Sequence, residues 1–295
     1  MALVMTLIAG AAGAGGILPR ITAGIAASLR GAAPDWLAPD IACDIPLPEM
    51  DAVAAEALAR AEIGDAAIDV LVQQVTGRRK ALLVADLEST IIENEMLEEL
   101  ADYVGQRARV ADITRRAMNG ELDFTAALAE RVALLAGLPD SVLDEVAARI
   151  RLMPGARALL ATLRANGVRT ALVSGGFAVF ADRIAAELGF DRVVANYLEV
   201  AAGQIVGSVR QPIVTRDTKR DTLLGLVAEH GLSPGATLAV GDGANDLPML
   251  QTAGLGIAFR AKPAVAAAAR WRIDHADLTG LLYAQGYRAD ELMPG

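Results

Sequence analysis

Residues 81–85 read Ala-Leu-Leu-Val-Ala, apolar at every position and without alternation. A strand that presents no polar face must be covered on both sides, as in a parallel sheet between two layers of helices. Further strands are expected at 168–173, 193–195, 236–240 and, more briefly, 256–258. Between them, apolar spacing of period 3.6 predicts helices over 155–165, 178–188, 218–230 and 246–253. Strand and helix in strict alternation predict an α/β fold with a doubly wound parallel sheet. The stretch 93–150 departs from that rhythm. It carries only helical patterns, at 94–103, 107–118, 123–136 and 140–150, broken at Asn119-Gly120 and Gly137-Leu138-Pro139. Four helices between two buried strands read as an inserted helical cap.

Ahead of the first buried strand, residues 1–78 predict a small α/β domain, leaving 79–295 as the larger one. Strands are expected at 2–9, 36–44 and 66–74 and helices at 19–30 and 48–60. That order suggests an antiparallel or mixed sheet with helices on one face. Gly77-Arg78-Arg79-Lys80 is polar, breaks both periods and reads as a linker. The uncharged segment 1–18 superficially resembles a secretion signal, but it has no basic flank, and Gly10, Gly13, Gly15 and Gly16 dilute its hydrophobicity. It is also short of the roughly 20 apolar residues a membrane span requires. It reads as a strand followed by a glycine-rich turn, and the chain is expected in the cytoplasm with no membrane partner.

Composition narrows the chemistry. Apolar residues make up 54% of the chain, which excludes disorder, and the scarcity of aromatics (4%) favours helix-rich packing over an aromatic-cored sandwich. Cys43 is the single cysteine, and His230 and His275 are the only histidines. Disulfide frameworks and cysteine or histidine zinc clusters are thereby excluded, so a metal would need oxygen ligands, as magnesium and calcium do. The net charge of −9 and the lack of a basic stripe argue against nucleic acid. An anionic substrate would have to meet a local cation, and the chain has only three lysines: Lys80, Lys219 and Lys262.

Ligands on doubly wound sheets sit beyond the carboxyl ends of the strands. There the sequence reads Asp86-Leu87-Glu88-Ser89-Thr90, then Ser174-Gly175-Gly176, then Gly241-Asp242-Gly243-Ala244-Asn245-Asp246. One aspartate after a strand is usually a turn residue or helix cap. Three such endings on one sheet edge suit phosphoryl transfer, which asks for positioning and charge neutralisation. Asp86 can serve as nucleophile. Glu88, two residues on along an extended segment, returns to the same face and can act as general acid and base. Ser174 and the Gly175 amide can bind phosphoryl oxygens, and Lys219, on the loop before the last strand, can neutralise them.

These motifs resemble the haloacid dehalogenase (HAD) superfamily of phosphohydrolases. Asp86–Thr90 with Glu95, 116–120 (Arg-Ala-Met-Asn-Gly), Leu122-Asp123-Phe124, Arg131-Val132, Ser174–Phe177, 241–246, 258–263 and 275–278 are similar to its phosphoserine phosphatase branch. The resemblance spans about residues 80–290. It implies Mg2+-dependent hydrolysis of O-phosphoserine through an aspartyl-phosphate on Asp86, the closing step of serine biosynthesis. It also implies a magnesium ion on Asp86, Asp242 and the backbone carbonyl of Glu88, with Asp246 in support. Glu95 would bind the substrate ammonium, Arg131 its carboxylate and Asn245 the substrate, with Met118 and Phe124 covering the site. The N-terminal region is similar to ACT-like regulatory domains, and a homodimer is compatible with the resemblance.

Plainer readings stand beside these. Glu95 with Glu98 and Glu99 also fits a solvated helix face. Arg131 could pair with Asp123 or Glu130, and Met118 with Phe124 could be ordinary core. Position 88 departs from the family pattern, which has aspartate there. Two alternatives therefore stay open: another HAD phosphatase or phosphotransferase for a small phosphomonoester, and a catalytically weak serine or phosphoserine sensor.

Overall fold

The computed structural model describes residues 2–10, 17–29, 33–47, 50–118 and 121–295, the side chains of Ile17 and Met118 excepted. The proposed glycine-rich turn, Gly13 to Gly16, falls outside them. The first elements are β1 (Leu3–Ala9), α1 (Ile17–Ser28), β2 (Asp35–Ala38), β3 (Ala42–Leu47), α2 (Ala52–Ile63) and β4 (Ile68–Gln74). The single strand expected at 36–44 is in fact a hairpin, because Pro39-Asp40 turns the chain and Asp40 takes a left-handed φ of 59°. All three pairings are antiparallel, in the order β2-β3-β1-β4, which is a split βαβ arrangement.

Strict alternation gives this sheet two buried faces of different character. Met5, Leu7, Cys43, Ile45, Ile68, Val70 and Val72 pack under both helices. The opposite face presents Thr6, Asp44, Asp69 and Gln73 along with Ile8, Ala42 and Leu71, all buried. It is buried because it docks on the remainder of the chain.

That remainder is a six-stranded parallel sheet. It is formed by β5 (Leu82–Ala85), β6 (Arg169–Phe177), β7 (Arg192–Asn196), β10 (Thr237–Gly241), β11 (Leu255–Phe259) and β12 (Trp271–Ile273), with β8 (Leu198–Ala201) and β9 (Gln204–Val209) as a separate hairpin. Helices α3 (Met96–Asp102), α4 (Arg107–Met118), α5 (Phe124–Ala133) and α6 (Ser141–Ala147) form the insertion. The others are α7 (Ala156–Ala165), α8 (Ala178–Leu188), α9 (Arg216–Glu229), α10 (Leu247–Thr252), α11 (Pro263–Ala268) and α12 (Gly280–Ala284). The strand order β12-β11-β10-β5-β6-β7 puts β5 between β10 and β6, with Ala85 in register with Val240 on one side and Leu172 on the other. The three chemically marked strand ends are therefore immediate neighbours.

The two chain crossings into the helical insertion are tied together. Ile92 bridges Leu152, Glu93 N–H donates to the Arg151 carbonyl (2.9 Å) and Met153 N–H to that of Ile91 (2.9 Å). The hairpin β8–β9, which periodicity did not reveal, joins the insertion: Ile205 N–H donates to Leu138 O (2.8 Å) and Gly137 N–H to Ile205 O (2.9 Å).

The segment 77–80 joins the two sheets as a pinned seam. Arg78 bonds Asp44 and Thr6 of the small sheet and the carbonyl of Ala284 (3.2 Å). Arg79 bonds Glu291 (2.7 Å), and Lys80 N–H donates to Gln285 (3.0 Å). Alongside, the Trp271 indole donates to Val72 O (3.0 Å), and the buried Asp69 carboxylate accepts the amides of Asp274, His275 and Ala276.

Candidate active site

The loop leaving β5 carries Asp86, whose side chain is almost fully buried. Its Oδ1 accepts from Lys219 Nζ at 2.6 Å, and the same ammonium donates to Asp246 Oδ1 at 2.6 Å. Lys219 lies in the first turn of α9, which begins at Arg216, so the helix expected from 218 holds it and the loop placement of this lysine does not stand. A Thr215–Thr218 capping box starts that helix. Burial opposes the lysine's charge, but Asp246 and Asp86 outweigh it and hold the ammonium above its ordinary value. Asp246 also accepts the Gly243 amide at 3.0 Å, fixing the turn after β10.

Oxygens of Asp86, Asp242 and Asp246 lie within 4.8 Å of one another, all three residues buried. Burial, then the charges of Asp246 and Asp242, push Asp86 up to about 8 against the pull of Lys219. Burial likewise raises Asp242 to about 6, although Lys262 is bonded to it. Three carboxylates facing two ammonium groups leave an excess of negative charge in a low-dielectric pocket. An oxygen-coordinated divalent cation meets that demand. The donor set thus fits a hard metal ion.

Glu88 shares the cleft. Its Oε1 accepts the Met96 amide, the first of α3, at 3.0 Å. Burial, then the charges of Glu95 and Asp86, raise its carboxyl to about 8. Gly176 leaves room for it, since a β-carbon there would come within 3.0 Å of both Glu88 oxygens. The Ser174-Gly175-Gly176 segment, expected to follow its strand, is the irregular end of β6. One residue of β7, Ala195, stands opposite three of β6 between the pairs Val173–Val194 and Phe177–Asn196. Ser174 Oγ accepts the Gly176 amide at 2.9 Å, while Asn196 donates to the Gly175 carbonyl at 2.7 Å and accepts from Val214 N–H.

Above these groups, the insertion contributes Glu95 and Arg131 to the same cleft, with Glu98, Thr114, Leu97 and Leu128 beside them. The plainer readings of Arg131 fail, because Glu130 pairs with Arg109 and Asp123 caps α5. Arg131 is buried, held by the Ala127 carbonyl (3.0 Å) and by Thr114 Oγ1 (2.8 Å), with no carboxylate bonded to it among the described residues. Burial pulls its guanidinium below the ordinary value, opposed by Glu88, Glu95 and Glu98. Glu95 accepts from Ser89 Oγ at 2.6 Å, and Glu99 turns outward to Arg107. The Phe124 ring lies over Gly175, its Cζ 3.0 Å from where a β-carbon would stand. Asn245 lines the cleft with a buried Oδ1 that has no partner. Met118 ends α4, but its side chain lies outside the described residues. The space left in the cleft is about 30 Å³, enough for one or two waters.

Sequence reasoning missed Lys262, Thr114 and Asn196. Lys262 carried a signal, being the third lysine of the chain and following a buried strand. Thr114 and Asn196 carried none, since each acts only through the residue it holds.

A parallel sheet with buried aspartates at adjacent strand ends, a lysine bridging two of them and a helical cap over the cleft defines a phosphotransfer-type hydrolase. The chain belongs to the haloacid dehalogenase-like hydrolases, whose family model matches residues 83–251. It is 50% identical over 199 residues to the phosphoserine phosphatase of Streptococcus thermophilus, covering 68% of this chain and 93% of that protein. Among solved structures, a HAD family hydrolase from Salmonella enterica serovar Typhi superposes over 96% of this chain and 98% of its own, with a TM-score of 0.85 and 27% identity. A phospho-aspartyl intermediate analogue of a phosphoserine phosphatase matches 70% of this chain and 98% of its own, with a TM-score of 0.67 and 36% identity.

Proposed function

We propose that the chain is a phosphoserine phosphatase, hydrolysing O-phosphoserine to serine and phosphate. The observation that carries this reading is Arg131: a buried guanidinium without a bonded carboxylate, in one cleft with Glu95 and Asp86. Such a cation needs an anion, and a substrate carboxylate can meet it through a bidentate fork. Glu95 suits the ammonium of the same molecule, and Lys219 with the β6 end suits its phosphate.

The residues divide the work in two halves. The Asp86 carboxylate attacks phosphorus and the bond to the serine oxygen breaks, with Glu88 giving that oxygen its proton. Burial and the neighbouring charges of Glu95 and Asp86 raise the Glu88 carboxyl, the direction a general acid requires. Glu88 then takes a proton from the water that attacks the phospho-aspartate, releasing phosphate and restoring Asp86. The relative trapped as a phospho-aspartyl analogue supports this route. Magnesium suits the oxygen donors; Asp86, Asp242 and the Glu88 carbonyl would hold it, with Asp246 in support, and it would supply charge neutralisation for the phosphoryl oxygens. No described helix is long and apolar enough to cross a membrane.

The test is phosphate release from O-phosphoserine with and without magnesium, set against phosphohomoserine, sugar phosphates and an aryl phosphate. Preference for O-phosphoserine with strict metal dependence is expected. Equal rates across the panel would refute the assignment, and tight binding without turnover would make the protein a sensor.

A further inference from the structure

Four described non-glycine residues have positive φ: Asp40, Ser89, Ala202 and Arg260. Asp40 and Ala202 sit in hairpin turns, where such a backbone is required. Ser89 sits between the proposed acid Glu88 and Thr90, at φ 54°. A serine rarely adopts this conformation without a compensating contact. The contact is Glu95: Ser89 Oγ–H donates to Glu95 Oε1 at 2.6 Å, in the range of a charge-assisted hydrogen bond.

Glu95 occupies the N-cap position of α3, yet its side chain makes no cap hydrogen bond. Its place at the helix start is taken by Glu88, which accepts the Met96 amide. Glu95 is thereby free to turn into the cleft, and its Oε2 accepts no donor among the described residues. Ser89 does not itself line the cleft.

We infer that Ser89 is a positioning residue for substrate selection, holding Glu95 aimed so that its free oxygen receives the ammonium of the amino-acid substrate. The inference rests on the phosphoserine reading. The strained backbone turns the serine hydroxyl toward α3, so one side chain ties the catalytic loop to the group that reads the amine.

The experiment compares wild type, Ser89→Gly, Glu95→Gln and the double variant with O-phosphoserine and with p-nitrophenyl phosphate, which has no ammonium. Glycine relieves the left-handed backbone, so Ser89→Gly should melt no lower than wild type. It should raise KM for O-phosphoserine about tenfold, the effect of losing one charge-assisted hydrogen bond, while p-nitrophenyl phosphate turnover changes less than twofold. In the Glu95→Gln background, Ser89→Gly should add little, because the group it positions is already lost. Ser89→Ala should show the same substrate split with a lower melting temperature. An equal loss on both substrates, or a full tenfold loss on top of Glu95→Gln, would overturn the inference. Failure of the wild type to hydrolyse O-phosphoserine would overturn the underlying reading instead.

Discussion

Restoring the family's aspartate at position 88 should damage this enzyme. Glu88→Asp withdraws the carboxylate by one carbon–carbon bond, about 1.5 Å. The bond to the Met96 amide, now 3.0 Å, would open to roughly 4 Å or more, beyond hydrogen-bonding range. The first amide of α3 would lose its acceptor, and the proton donor would stand about 1 Å or more from its present place. Misplacement on that scale costs on the order of a hundredfold in rate. Steady-state kcat for O-phosphoserine should therefore fall by about 10²-fold in Glu88→Asp, about as far as in Glu88→Gln. An aryl phosphate, whose leaving group needs little protonation, should suffer less in the first half-reaction. The burst of aryl alcohol release under stopped flow reads that step directly. A Glu88→Asp variant as fast as wild type, or faster, would refute the claim that Met96 and Gly176 shape this site for the longer acid.

Other perturbations test separate parts of the site. Asp86→Asn should abolish turnover while the fold persists, since the amide is isosteric but no nucleophile; circular dichroism with phosphate release checks both, and activity above about 1% of wild type would sink the covalent route. Arg131→Ala should cost O-phosphoserine roughly 1.5–3 kcal/mol in kcat/KM, about 10–150-fold, and spare an aryl phosphate; equal losses would make Arg131 structural. The raised carboxyls of Asp86, Glu88 and Asp242 make the metal-free fold bind protons more tightly than the unfolded chain does. That stability is complete below about pH 4 and lost as pH rises through about 6 to 8. The metal-free melting temperature should fall over that range, and magnesium should restore it most at the alkaline end; a flat profile would count against the charge excess.

The parallel sheet was legible because its strands lack a polar face, and the site because three strand ends share one edge. The hairpin β2–β3 escaped because its turn falls inside what reads as one extended run. The hairpin β8–β9 escaped for another reason: Tyr197, Val200 and Val206 are exposed on it, so its apolar pattern does not mark a buried face. Arg131 shows the limit most clearly. Sequence put two carboxylates within reach of it, Asp123 and Glu130. Only the packing of α4 against α5 reveals that Arg109 takes the second while the first caps its own helix.

The seam beneath the sheets has a mechanical consequence. Segment 274–276 is held by Asp69 of the small sheet, and two residues on, Leu278 N–H donates to the carbonyl of Pro154 at 3.0 Å. Pro154 adjoins Met153, which is bonded to Ile91 across the paired crossings that suspend the cap. The N-terminal sheet is thus a buttress set behind the paired crossings that carry the cap. A tilt of that sheet would press on the crossings through a handful of hydrogen bonds, along a route that bypasses the cleft itself.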